Sequence, residues 1–169
     1  SDLSIDNVPL VIKFLRNTHS YYRNEKYPEI QQLIRNLHEI NKSAEIEIVE
    51  KFFAEYYAEV DEHLTYEENV IFPYFKMLYD KYQGIDNKPL DDKLVIKDYR
   101  HPHTDIEYKL DELKNLLIKY IPVKQDRQIR RKLLLALCDV ENDLNAHTMI
   151  ETHILIPLIV KIEKILKKG

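Results

Sequence analysis

The stretch "HLTYEENVIFPYF" (residues 63–75) decides the fold of this chain because it has a second copy, "HTMIETHILIPLI" (residues 147–159). The two copies share the pattern H-x3-E-x5-P, which pairs His63 with Glu67 and His147 with Glu151. Residues at i and i+4 lie on the same face of an α-helix, one turn apart. Each copy therefore predicts a helix that presents an imidazole beside a carboxylate among apolar residues.

The composition favours one all-α domain over residues 1–169. The chain is 44% hydrophobic and 32% charged, and its two glycines argue against an all-β fold. The net charge is −4 with no basic patch, so a nucleic-acid partner is not expected. A single cysteine fits a reducing compartment. The sequence has no apolar run long enough to span a membrane and no signal peptide. We therefore expect a soluble, cytoplasmic protein without a membrane partner. A start at Ser1 is expected of an excised or processed fragment.

Four segments carry the apolar period of an amphipathic helix. They run over about residues 8–41, 43–82, 102–121 and 126 to the end, and a further short helix is predicted around 91–99. Tight turns join the first segment to the second and the third to the fourth. This pattern predicts an up-down-up-down four-helix bundle.

Depth along the bundle predicts that six residues meet at one level. An α-helix rises by about 1.5 Å per residue. Counting outwards from the turn near Lys42 on this basis places residues 17–21, which include His19, at the level of the first His-Glu pair. Counting outwards from the turn near Val123 places about residue 100, which is close to His103, at the level of His147 in the second pair. The six residues that meet are His19, His63, His103, His147, Glu67 and Glu151.

Four imidazoles and two carboxylates in apolar surroundings predict a dinuclear metal site. A buried carboxylate is costly unless it is paired or binds a metal. Imidazole and carboxylate ligands together suit iron best among the abundant metals, with manganese and zinc as alternatives.

The same reasoning argues against other ligands. His38 is about five residues from the first turn, roughly 20 Å along the axis from the predicted site. His153 lies two residues beyond Glu151 and faces away, and Cys138 lies on the opposite side of its helix from His147. His101 is expected at most to hydrogen-bond to a ligand residue without contacting the metal itself, and Tyr66 is a less well supported candidate for the same role. The prolines Pro28, Pro73 and Pro157 are expected to bend or break their helices because each lacks a backbone N–H.

The stretches "RNTHSYY", "HLTYEENVIFP", "HPHTDIEYKL" and "AHTMIETHILIP" resemble a hemerythrin-like (HHE) domain over nearly the whole chain. More closely, they resemble the di-iron proteins called repair of iron centres, which are implicated in restoring iron–sulfur clusters after nitrosative or oxidative damage. The resemblance implies an oxo-bridged pair of irons. It makes the four histidines terminal ligands and makes Glu67 and Glu151 bridges. In that family the histidine of "NLHEI", here His38, is often counted as a ligand. The position of His38 along the bundle, far from the predicted site, argues against that role here.

The differences from oxygen-carrying hemerythrins bear on function. Those proteins supply five histidines and H-x4-D, whereas this chain has H-x3-E and four well-placed histidines. Each iron would then keep an open position, which favours reaction with NO, O2 or peroxide, or iron release to damaged iron–sulfur proteins. Longer repair proteins also carry an N-terminal domain with a cysteine pair that this sequence lacks, which weakens the case for autonomous cluster repair.

Two functions stay open from the sequence. One is a stress-response di-iron protein that donates iron or processes NO. The other is a module that senses O2, NO or iron and regulates a partner or a fused output domain. A ferritin-like oxidase needs Glu-x-x-His pairs, and neither His63 nor His147 has a glutamate three residues before it.

Overall fold

The computed structural model describes residues 3–86, 102–119, 121 and 125–168, with side chains in the third segment described from residue 106 onward. The described helices are α1 (Val8–Tyr21), α2 (Tyr27–Asn41), α3 (Ala44–Tyr66), α4 (Phe72–Tyr82), α5 (Pro102–Lys119), α6 (Arg127–Ile150) and α7 (Ile156–Leu166). They make four long helical segments, and the described residues contain no strand, which confirms the predicted all-α bundle class. The short helix predicted around 91–99 lies outside the described residues.

None of the helices in the described ranges combines the length and the apolar character that a membrane span requires. A 3-10 turn, Ile5–Asn7, precedes α1.

Three of the four long segments are continuous through a five-residue π-helical turn. These turns are Tyr22–Lys26, Glu67–Ile71 and Glu151–Leu155, and each precedes a helix whose second residue is a proline. In each turn the residue before the proline donates its N–H to the carbonyl five residues back, as Phe72 does to Glu67.

The π-helical turns carry the helices through the prolines without the break that was one expectation for Pro28. Proline has no N–H to give the carbonyl four residues earlier. In the wider turn, the N–H of the residue before the proline bonds to the carbonyl five residues earlier instead of four. Helices α1 and α2 therefore form one helical run, as the single predicted segment over residues 8–41 required, and π-helical turns of this kind are frequent at functional sites.

The described residues divide into two compact units. The first unit contains residues 3–19, 64–86 and 145–168, and the second contains 20–63, 102–119, 121 and 125–144. The core of the first unit packs α4 against α7. Its buried apolar residues are Val8, Val11, Ile12, Leu15, Ile71, Phe72, Phe75, Leu78, Leu155, Ile156, Leu158, Ile159 and Ile162. This core includes Ile71 and Leu155, the last residues of the two π-helical turns that begin at glutamates. A single domain over residues 1–169 stays a prediction.

A buried polar group fixes the ends of three helices in the second unit. Arg130 pairs with Asp126, whose carboxylate also accepts a hydrogen bond from Asn41 at 2.7 Å. The Arg130 guanidinium donates two further hydrogen bonds to the carbonyls of Leu117 and Ile121, at 2.8 and 3.1 Å. The bond to Leu117 supplies a partner for one of the last carbonyls of α5, which have none inside their own helix, and the bond to Ile121 holds the chain just beyond that helix.

Candidate metal centre

Two histidines and two glutamates meet in the core of the first unit. His19 comes from α1, His147 from α6, and Glu67 and Glu151 each begin a π-helical turn. The exposed fraction is 0% for His19 and Glu67, 3% for His147 and 1% for Glu151. The sequence placed these four residues in one site, and the structure brings them together.

The ligand atoms of this cluster point at one another. His19 Nε2 lies 2.9 Å from Glu67 Oε2 and 3.3 Å from His147 Nε2. His147 Nε2 lies 3.5 Å from Glu67 Oε2 and 2.9 Å from Glu151 Oε1. One ligand atom from each of His19, Glu67 and His147 falls within 4.8 Å of the other two.

These separations fit a bound cation. Two ligand atoms that each lie about 2.1 Å from one ion are separated by about 3.0–3.4 Å when they are neighbours in its coordination shell. Of the observed separations, 3.3 Å falls in that range, and 2.9 and 3.5 Å lie just below and just above it. Carboxylate oxygens and neutral imidazole nitrogens are all electron-pair donors, so a cation between them satisfies the whole group.

Glu68 fixes which nitrogen of His19 faces the cluster. Its Oε1 lies 2.9 Å from His19 Nδ1, on the side of the ring opposite Glu67. An ionised carboxylate only accepts hydrogen bonds, so Nδ1 donates its proton to Glu68 and the neutral ring presents the Nε2 lone pair to the cluster. This is the carboxylate–histidine arrangement that orients metal-binding imidazoles.

The cluster also attracts positive charge. Burial by itself lowers the pKa of His147, but hydrogen bonds to Glu151 and Glu67, together with the charges of both carboxylates, raise that pKa to about 9. The two carboxylates therefore favour a proton on the His147 imidazole when no metal is bound. A metal ion and this proton compete for the same nitrogen.

Two further ligands, His63 and His103, were predicted from the sequence. His63 is 9% exposed near the end of α3 and belongs to the second unit. His103 falls in α5, but its side chain lies outside the described residues, as does the whole of His101. The roles of His63 and His103 as ligands stay predictions.

The structure also locates the residues that the sequence argued against. The side chain of His38 is 34% exposed and lies 3.6 Å from Glu50 and 3.9 Å from Glu47, in the second unit. His153 is exposed within its π-helical turn, and Cys138 is exposed on α6. Tyr66, an alternative hydrogen-bonding partner for a ligand, is 43% exposed.

Glu68 is the residue of the cluster that sequence reasoning missed. In an α-helix successive side chains differ by about 100° in direction, so Glu67 and Glu68 are not expected to face one group. The π-helical turn begins at Glu67 and, being wider, reduces that angle. The signal in the sequence was the proline six residues after Glu67, read as a bend rather than as a π-helical turn.

Comparison with known proteins gave one finding. The sequence matches the hemerythrin HHE cation-binding domain over residues 11–159. Neither the curated proteins nor the solved structures include a match to this chain. The matched range contains the whole buried cluster of histidines and glutamates, and the described helices are consistent with an all-α, hemerythrin-like bundle. The chain therefore belongs to the hemerythrin HHE cation-binding domain family.

Proposed function

We propose that this chain is a non-haem di-iron protein of the nitrosative and oxidative stress response, located in the cytoplasm. In this proposal it donates iron for the repair of iron–sulfur clusters or reacts with NO, O2 or peroxide at its metal centre. The observation that carries the proposal is the buried group of two imidazoles and two carboxylates, His19, His147, Glu67 and Glu151. The ligand set deduced from the sequence adds His63 and His103.

A bound iron pair would supply one-electron redox chemistry and open coordination positions for a small ligand. The protein residues hold and orient that centre. Glu68 keeps the Nε2 atom of His19 directed at the cluster, and the stacked ring of Phe72, 5.5 Å from the His19 ring, excludes water on that side. A dry pocket strengthens the electrostatic attraction between the carboxylates and a cation.

Donation of iron requires that the cluster survive without metal. Two buried carboxylates with no cation would repel each other and destabilise the fold. The His147 imidazole, whose Nε2 lies 3.5 Å from Glu67 Oε2 and 2.9 Å from Glu151 Oε1, reduces that repulsion when it carries a proton, because it then donates a hydrogen bond to these carboxylates. This exchange of a cation for a proton favours a centre from which iron can leave and to which it can return.

The test is iron transfer from the loaded protein to a damaged acceptor. The chain is loaded anaerobically with Fe(II), freed of excess iron, and mixed with a ferredoxin whose cluster has been destroyed by NO, with sulfide and a thiol reductant supplied. We expect the acceptor's cluster absorbance to recover as iron leaves this chain. An equal amount of free Fe(II) in the presence of a chelator serves as the control for loose iron.

The sensor alternative predicts a different result in the same experiment. A sensor retains its iron in the presence of the acceptor and binds NO or O2 reversibly, with the spectrum restored when the gas is removed. Retained iron with reversible gas binding would refute donation and support sensing. Irreversible consumption of NO without transfer would instead support chemistry at the centre.

A further inference from the structure

A groove of about 400 Å³ lies beside the buried cluster, between residues 8–16 of α1 and residues 72–80 of α4. Its wall is apolar and comes from both helices. Val8 and Ile12 line one side, and Phe72 and Tyr79 line the other. Pockets of this volume with apolar walls are typical of sites for small organic molecules.

The charges at the rim of this groove are mainly positive. Lys13, Arg16 and Lys76 contribute three cations, and Asp80 contributes the one carboxylate among the lining residues. Asp80 is already paired, because its Oδ2 accepts a hydrogen bond from Lys76 Nζ at 2.6 Å. Lys13 and Arg16 lie three residues apart on α1 and are both exposed, so their charges lie on one edge of the groove.

The bottom of the groove is close to the candidate metal centre. The Phe72 ring stacks on the His19 ring with 5.5 Å between their centroids, and the Arg16 guanidinium lies 5.9 Å from the Phe72 centroid. Phe72 is thus in contact with a histidine of the cluster on one side and with a cation of the groove rim on the other.

We propose that this groove binds a small organic anion, a carboxylate attached to an aromatic or aliphatic body. The body packs on Val8, Ile12 and Tyr79, and the carboxylate lies between Lys13 and Arg16. The charge complementarity of the rim selects an anion, because an apolar wall alone would accept a neutral molecule equally well. A guanidinium and an ammonium are the groups that proteins use to hold a carboxylate.

The test uses 2-naphthoate, an aromatic carboxylate of suitable size, with 2-naphthalenemethanol as the neutral molecule of the same shape. Binding to the purified full chain is followed by calorimetry at low salt. We expect saturable binding of naphthoate at one site, weakened about tenfold in each of Lys13→Gln and Arg16→Gln because each loses one charge-assisted contact. The neutral molecule should bind about tenfold more weakly than naphthoate.

Two controls separate the groove from general charge and folding effects. Lys161→Gln removes an exposed lysine on α7 outside the groove and should bind naphthoate as the unchanged chain does. Thermal unfolding of all variants should coincide, because Lys13 and Arg16 are exposed. The proposal is overturned by absent saturable binding, by equal affinity for the neutral molecule, or by a loss in Lys161→Gln equal to that in the groove variants.

Discussion

Replacing Glu68 with alanine tests whether its carboxylate orients the His19 ring toward the cluster. The substitution removes the 2.9 Å contact with His19 Nδ1 and leaves every residue of the His19–Glu67–His147 group in place. Loss of such an orienting partner typically costs about 10–100-fold in metal affinity. The Glu68 side chain is 29% exposed, so solvent screens part of its charge and the low end of that range applies. We expect about a tenfold loss, which corresponds to about 1.4 kcal/mol.

The assay is competition for Fe(II) between the protein and a chelator under anaerobic conditions. Glu68→Gln should show a smaller loss than Glu68→Ala, because an amide oxygen can still accept the Nδ1 hydrogen. Glu62→Ala removes an exposed glutamate from the same helix and should leave the affinity unchanged. The reasoning fails if Glu68→Ala holds metal as tightly as the unchanged chain, or if Glu62→Ala loses as much.

Three further substitutions test a histidine outside the cluster, a π-helical turn and a buried ion pair. His38→Ala should keep the full metal content measured by elemental analysis, because this exposed side chain lies beside Glu47 and Glu50 rather than in the cluster. Pro73→Ala supplies an N–H that favours an α-helical bond over the π-helical turn, so metal affinity should fall while helix content by circular dichroism is kept. Arg130→Ala leaves a buried carboxylate without its cation and should lower the free energy of unfolding by roughly 3 kcal/mol in a denaturant titration.

The His-Glu pairs show how much of the site the sequence determines. The spacing of four residues between His147 and Glu151 predicts contact on one helix face, and the structure places their atoms 2.9 Å apart. His19 was placed from helix rise alone, and its Nε2 lies 2.9 Å from Glu67 Oε2. The residue count was possible because α1 and α2 form one uninterrupted helical run up to the turn near Lys42.

The π-helical turns and Glu68 could not be derived by the same rules. Periodicity arguments assume a constant angle per residue, and the turns beginning at Glu67 and Glu151 change that angle at the residues that matter. A proline pattern can indicate a kink, a break or a π-helical turn, and the hydrogen bond from Phe72 to the Glu67 carbonyl is what distinguishes them.

The most direct test of the central claim is the metal content of the protein purified without oxygen, together with its visible spectrum after exposure to air. We expect about two irons per chain and oxo-bridged ferric absorption bands. Both should be lost in Glu67→Ala and Glu151→Ala and retained in Glu62→Ala. Zinc, a single metal ion or no metal in the unchanged chain, or full iron content in both glutamate variants, would contradict a di-iron centre built on this cluster.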